Sequence, residues 1–155
     1  VTTSVLADGN HPLSIKAIDA AGNTSQPVSL GTWAIDTGIP AAPTVGSVSQ
    51  DTANPTDRNT SDNTLTIAGG PGSAEAGTTI TVYDSSSGTP VVVGTATVLP
   101  DGSYSVTTSV LADGQHPLSI TATDTAGNDD TVTADVHDAT HADAIQYHVD
   151  KHWND

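Results

Sequence analysis

The chain of 155 residues contains no cysteine, no methionine and no phenylalanine. Without thiols it can form no disulfides, so a disulfide-stapled scaffold is excluded although secretion is not. Basic residues are almost missing: 3 lysines and arginines face 18 acids, and a formal charge of −15 repels nucleic acid and anionic membranes. Glutamate is scarce too, Glu75 standing alone beside 17 aspartates. No apolar run approaches the roughly 20 residues that span a bilayer, and no basic, apolar leader follows Val1-Thr2-Thr3, so membrane insertion is not expected. With aromatics at 3%, the core must be modest and built from valine, isoleucine, leucine and alanine.

What is abundant points to short strands joined by turns. There are 25 threonines, 14 glycines and 9 prolines, and threonine favours strands. Aspartate suits turns and calcium shells better than helix interiors. Helical bundles and α/β enzymes are therefore not expected.

The organisation follows from an internal repeat. Val1–Asn23 recurs as Val106–Asn128, 105 residues later, and only positions 10, 16, 18 and 20 differ from their partners. That period is the size of one β-sandwich. Residues 1–35 then read as the last two strands, F and G, of a preceding repeat, with Trp33 on strand G; residues 36–43, with Pro40 and Pro43, form a stiff linker; residues 44–138 form one complete domain. Period-two patterning predicts strand A over 44–50, B over 64–68, C over 78–84, D over 91–98, E over 103–109, F over 117–124 and G over 131–136. Seven short strands in about 100 residues imply an all-β, seven-strand immunoglobulin-like sandwich in tandem array. Residues 1–35 would present an apolar face with no opposing sheet, and are expected to pack against another chain or to derive from a longer array. The tail, 139–155, leaves the repeat; Ala142, Ile145, Val149 and Trp153 recur at helical spacing, which predicts a short helix. His148 and His152 would share a face of it, a spacing that suits zinc, but a short helix or frayed terminus with solvated histidines is the preferred reading.

Several motifs fall in order along the chain: Asp36-Thr37 with Pro40-Ala41-Ala42-Pro43; Ala74-Glu75-Ala76-Gly77 leading to Thr81-Val82-Tyr83-Asp84; Asp101-Gly102-Ser103-Tyr104; and Leu111-Ala112-Asp113-Gly114 before Asp124-Thr125-Ala126-Gly127-Asn128. On these the chain resembles the bacterial immunoglobulin-like repeats of large surface adhesins and biofilm-associated repeats-in-toxin proteins. The resemblance implies an extracellular module at the bacterial surface, with neighbouring repeats of the same chain as its partners and calcium between domains to stiffen the array.

Strand direction gives calcium an independent argument. Alternating strands put the B–C, D–E and F–G loops at the pole where the chain enters, so Asp36, Glu75, Asp101 and Asp124 should converge there. Carboxylates gathered so closely repel unless a hard cation neutralises them, and Ca²⁺ takes 6–8 oxygens. The other pole collects Asp51, Asp57, Asp62, Asp84 and Asp113, with Asp138 at the next linker position as a further candidate ligand. Against this stands the ordinary role of a turn aspartate, capping nearby amides; that reading is preferred for Asp8 and Asp113.

No catalytic or cofactor-binding residues are expected. There is no Gly-x-Ser-x-Gly elbow, no His-Glu-x-x-His and no phosphate loop, and His11 and His116 precede proline at matching positions, which reads as a loop feature. The sequence thus points to a non-enzymatic, calcium-rigidified extender that projects a distal binding domain in adhesion or biofilm formation. The alternatives are a carbohydrate- or surface-binding module, disfavoured because the repeat holds only Tyr83 and Tyr104 as aromatics, and an accessory domain of a secreted polysaccharide-degrading enzyme.

Overall fold

The computed structural model describes residues 1–49 and 58–130 in full, with the backbone of Ala134–Asp135 and Gln146–Val149. The chain divides into two units, Val1–Gly38 and Ile39–Asp155. Among the described residues every regular element is a strand.

The first unit is a hairpin of β1 (Gly9–Ile15) and β2 (Val28–Ile35), antiparallel with Leu13 opposite Gly31 and a register shift between Leu13 and Ser14. Trp33 lies on β2.

The second unit is a two-sheet β-structure. One sheet has three strands in the order β3 (Ser47–Val48), β5 (Thr66–Gly69), β8 (Tyr104–Thr107). The other runs β4 (Asn59–Thr60), β11 (Gln146–Val149), β9 (Gly114–Thr123), β6 (Thr79–Asp84), β7 (Val91–Thr97), and β10 (Ala134–Asp135) also pairs with β9. Strands β3, β5, β6, β7, β8, β9 and β10 fall where strands A to G were expected.

Two differences arise at one edge. Strand β9 begins at Gly114, three residues before the expected start at Pro117. The tail carries a strand over Gln146–Val149 where helical spacing predicted a helix. Both have one cause: β11 pairs antiparallel with Gly114–Pro117, and in the sheet order it and β6 are the two neighbours of β9. Backbone groups of β9 left open as an edge offer the tail a ladder, which outweighs the weak helix preference of a short segment. His148 lies on β11, and His152 lies outside the described residues.

The core sits between the sheets and obeys the two-residue period of the strands. Ile67 on β5, Ile80 and Val82 on β6, Tyr104 and Val106 on β8, and Leu118, Ile120 and Ala122 on β9 are buried, joined by Leu65, Val98 and Leu111 from the connections. Each large aliphatic side chain contributes about 1.5–3 kcal/mol of burial, and among the described residues Tyr104 is the aromatic one that takes part.

Candidate functional site

Three loops meet at one end of the second unit because their strands end together. Thr79 is paired with both Thr97 and Thr123, and Gly69 with Tyr104, so residues 70–78, 98–103 and 124–129 leave from the same pole. The loops are tied by backbone bonds: the Gly72 amide donates to the Asp101 carbonyl (2.8 Å), Ala74 to Gly102 (3.1 Å) and Gly77 to Val98 (3.1 Å). Gly102 makes this approach feasible. Its φ is +81°, and a Cβ there would lie 2.8 Å from the Ala74 carbonyl oxygen and the Gly72 nitrogen, so a side chain is excluded twice over.

The chain enters the domain at this pole and is fastened there. Pro43 is fully buried; the next residue, Thr44, donates its amide to the Ser73 carbonyl (2.8 Å), and its own carbonyl accepts the Tyr104 hydroxyl (3.0 Å). Gly46 donates to Ala68 (2.9 Å), and the β3–β5 ladder continues from there. The Tyr104 ring lies against Gly69, where a Cβ would collide with Cε1 of the ring. Burial pushes the phenol up to about 12, so it stays protonated and able to donate to Thr44.

The acids expected to converge here have local partners. Asp101 accepts the amide (3.0 Å) and hydroxyl (2.6 Å) of Ser103 through Oδ1. Asp124 accepts the amides of Ala126 (2.8 Å) and Asn128 (2.9 Å) through Oδ1 and the Asn128 side-chain amide (2.8 Å) through Oδ2. The first unit repeats that turn: Asp19 accepts from Ala21 (2.9 Å), Asn23 (2.8 Å) and the Asn23 side chain (2.9 Å). The Ser103 hydroxyl holds Asp101 below the usual aspartate value, and the asparagine side-chain amides do the same for Asp124 and Asp19. Glu75 is exposed at the same pole. Asp36 belongs to the first unit, where Oδ1 accepts the Gly38 amide (3.0 Å), and Asp138 lies outside the described residues. Asp8, read as a turn cap, accepts the amide and hydroxyl of Thr37 (3.1 and 2.9 Å). Among the described residues no three His, Asp or Glu side chains come together as a metal-binding group. The topology therefore shares a pole among the loops of Glu75, Asp101 and Asp124, while two of the three carboxylates are engaged in their own turns.

The opposite pole holds a buried pair. His116 and Asp84 are 5% and 8% exposed, and His116 Nδ1 lies 2.8 Å from Asp84 Oδ2. The other ring nitrogen, Nε2, lies 2.6 Å from the Ala112 carbonyl, which can only accept. Nε2 therefore carries a hydrogen, and Nδ1 donates to the carboxylate only when the ring is doubly protonated. Asp84 also accepts the amide (2.9 Å) and hydroxyl (2.8 Å) of Ser86. Burial works against its charge, yet His116 and Ser86 outweigh it and hold Asp84 below the usual aspartate value. His116 is thus a core residue of β9 and not the loop feature read from the His-Pro repeat. Parity carried the signal: His116 stands two residues before Leu118 and Asp84 two after Val82, so both face inward. The same parity places Tyr104 with Val106, and its bond to Thr44 across 60 residues had no sequence signal.

No curated protein matches the chain at a significant level. A family model described as the bacterial Ig-like domain matches residues 39–138, a span that takes in both poles and the strands β3 to β10 of the two-sheet unit. By its fold and by that match over more than half its length, the chain belongs to the bacterial Ig-like domain family.

Proposed function

We propose that this chain is a non-enzymatic extender module of a bacterial cell-surface adhesin, placed between neighbouring repeats to hold a distal binding domain away from the cell. The observation that carries this reading is the fastening of the incoming chain. Thr44 is bound on its amide side to Ser73 and on its carbonyl side to Tyr104, directly after buried Pro43, so tension arriving through the linker meets hydrogen bonds to two other segments before it reaches the β3–β5 ladder. Family membership supports a surface-associated module. The near-identical copy of β9 and its turn 105 residues earlier supports a tandem array.

Calcium is the rigidifying ion in this proposal. Its support is the shared pole of Glu75, Asp101 and Asp124 and the charge of −15. Coordination would require Asp101 and Asp124 to serve a cation as well as their local amides, or to release some of them; Asp101 Oδ2 and the exposed Glu75 are the readiest donors. The experiment is force spectroscopy on tandem copies of residues 39–138, in calcium and in chelator, beside calorimetric titration. The extender reading expects a distinct unfolding force for each domain, lowered by Tyr104→Phe. Unfolding without measurable resistance would overturn it, and binding no tighter than about millimolar would remove calcium from it.

A further inference from the structure

The last strand of the second unit is in two pieces. On β9, Ile120 and Ser119 pair with Ala134 and Asp135 of β10, and Pro117 to Gly114 pair with Gln146 to Val149 of β11. Both pieces lie on one edge of β9, because β6 takes the other: it pairs with Ser119 and Ile120, and the Ser85 amide just after it donates to the Pro117 carbonyl (3.0 Å). Between the two pairings β9 has a single residue, Leu118, whereas the other chain segment has ten, 136–145. The first unit builds the same edge without that interruption. There β2 passes from Ser29 opposite Ser14 to Gly31 opposite Leu13 with one extra residue, Leu30; Thr32, Trp33, Ala34 and Ile35 then stand opposite Pro12, His11, Asn10 and Gly9. These four are the counterparts of Pro117, His116, Gln115 and Gly114, so β11 holds the place of the second half of β2, residue for residue. Its sequence agrees: Tyr147-His148-Val149-Asp150 keeps the aromatic, variable, β-branched, acidic order of Trp33-Ala34-Ile35-Asp36.

Among the described residues the hydrophobic core draws on positions 45–122, and the family match ends at residue 138, so both are complete before β11 begins. On its outer side β11 is held by two pairs with β4, His148 with Asn59 and Val149 with Thr60. Elements that bring little to the core are the first to open. We propose that β11 is a force-released strap: under tension from its C-terminal side it leaves β9 before the core opens, and frees the length stored between itself and β10. Residues 136–149 then come loose, while β10 stays on β9 and the core stays closed. Extended at roughly 3.3–3.6 Å per residue, these fourteen residues reach about 45–50 Å. In the fold they cover the stretch from Ser119 to Gly114, about 17 Å along a strand. The gain on release is therefore about 30 Å. A strap of this kind acts in any chain pulled at its ends, so it can stand or fall separately from the adhesin role.

The test pulls the full-length chain in optical tweezers by peptide tags at its two ends. A second chain carries Gln115→Cys and His148→Cys. Gln115 is exposed and stands opposite His148, and opposite residues of an antiparallel pair have Cα atoms about 4.5–5.5 Å apart, within the range of a disulfide. The natural chain has no cysteine to compete. The expected result is a step of about 30 Å before the much longer rupture of the domain. That step should vanish in the oxidised double variant and return when reductant is added. Opening of the β1–β2 hairpin, 27 residues from Gly9 to Ile35, gives roughly 90 Å and is untouched by the lock. Rupture of the domain with no earlier step of about 30 Å overturns the proposal, since β11 would then belong to the cooperative core. A step that persists in the oxidised variant overturns it as well, because the length would come from elsewhere. Failure of the two thiols to couple denies the register of His148 with Gln115 and overturns it too.

Discussion

Replacing Tyr104 by phenylalanine removes one oxygen and leaves the ring. The ring is 3% exposed and lies against Gly69, so its burial and packing persist in the variant. What is lost is the 3.0 Å bond to the Thr44 carbonyl. Thr44 is exposed, so its carbonyl regains water instead of being stranded; the cost is then the net value of one hydrogen bond, about 0.5–1.5 kcal/mol, and not the larger penalty of a buried orphan. For a domain of about 100 residues this lowers the thermal midpoint by roughly 4–8 °C per kcal/mol. Thermal unfolding followed by circular dichroism measures it at neutral pH. A second readout isolates the hydroxyl. Because burial raises the folded phenol to about 12 from an ordinary 10.0, the folded state keeps its proton longer than the unfolded state does. Stability from Tyr104 is full below pH 10 and is lost as pH rises towards 12, and Tyr104→Phe should flatten that part of the decline. A variant with an unchanged midpoint and an unchanged alkaline decline would refute the fastening of the incoming chain.

Other outcomes follow from the same geometry. Gly102→Ala places a Cβ against Ala74 and Gly72 at φ +81°, and should destabilise by at least the ~1–2 kcal/mol of the left-handed conformation; a denaturant midpoint equal to that of the unaltered chain would contradict the close approach of the two loops. Asp84→Ala and His116→Ala each strand a buried partner and should cost about 3–5 kcal/mol. The double variant should cost less than their sum by roughly 1.5–3 kcal/mol, and additivity within ~0.5 kcal/mol would show the pair to be uncoupled. Asp19, Asp84, Asp101 and Asp124 all lie below the ordinary 3.8 in the folded state. The unfolded chain therefore binds their protons first as pH falls, and their contribution, full above about pH 4, is lost through the folded values below it. Urea unfolding across pH 2–6 should show that decline, made shallower by Asp84→Asn; a slope unaffected by that change would detach Asp84 from the acid response.

Much of the fold was legible because its signals are local. Alternation in Thr-Ile-Thr-Val-Tyr-Asp and in His-Pro-Leu-Ser-Ile-Thr-Ala marks which side of β6 and β9 turns inward, and Asp-Gly and Ala-Gly-Asn mark the turns. The aspartates of Asp101-Gly102 and Asp124-Thr125-Ala126-Gly127-Asn128 serve their own turns through bonds two to four residues long. Composition could not decide between that role and a cation, since both ask for the same residue.

The sequence by itself determined the all-β class, the 105-residue repeat, the strands and the turn chemistry, because each depends on residues within a few positions of one another or on identity between copies. Tertiary structure alone decided which distant groups met. It brought Tyr104 to Thr44, set His116 against Asp84, and gave the open edge of β9 to a tail whose spacing suggested a helix. These outcomes depend on where strands from separate parts of the chain end and which edges they leave unpaired, and spacing along one strand carries no record of that.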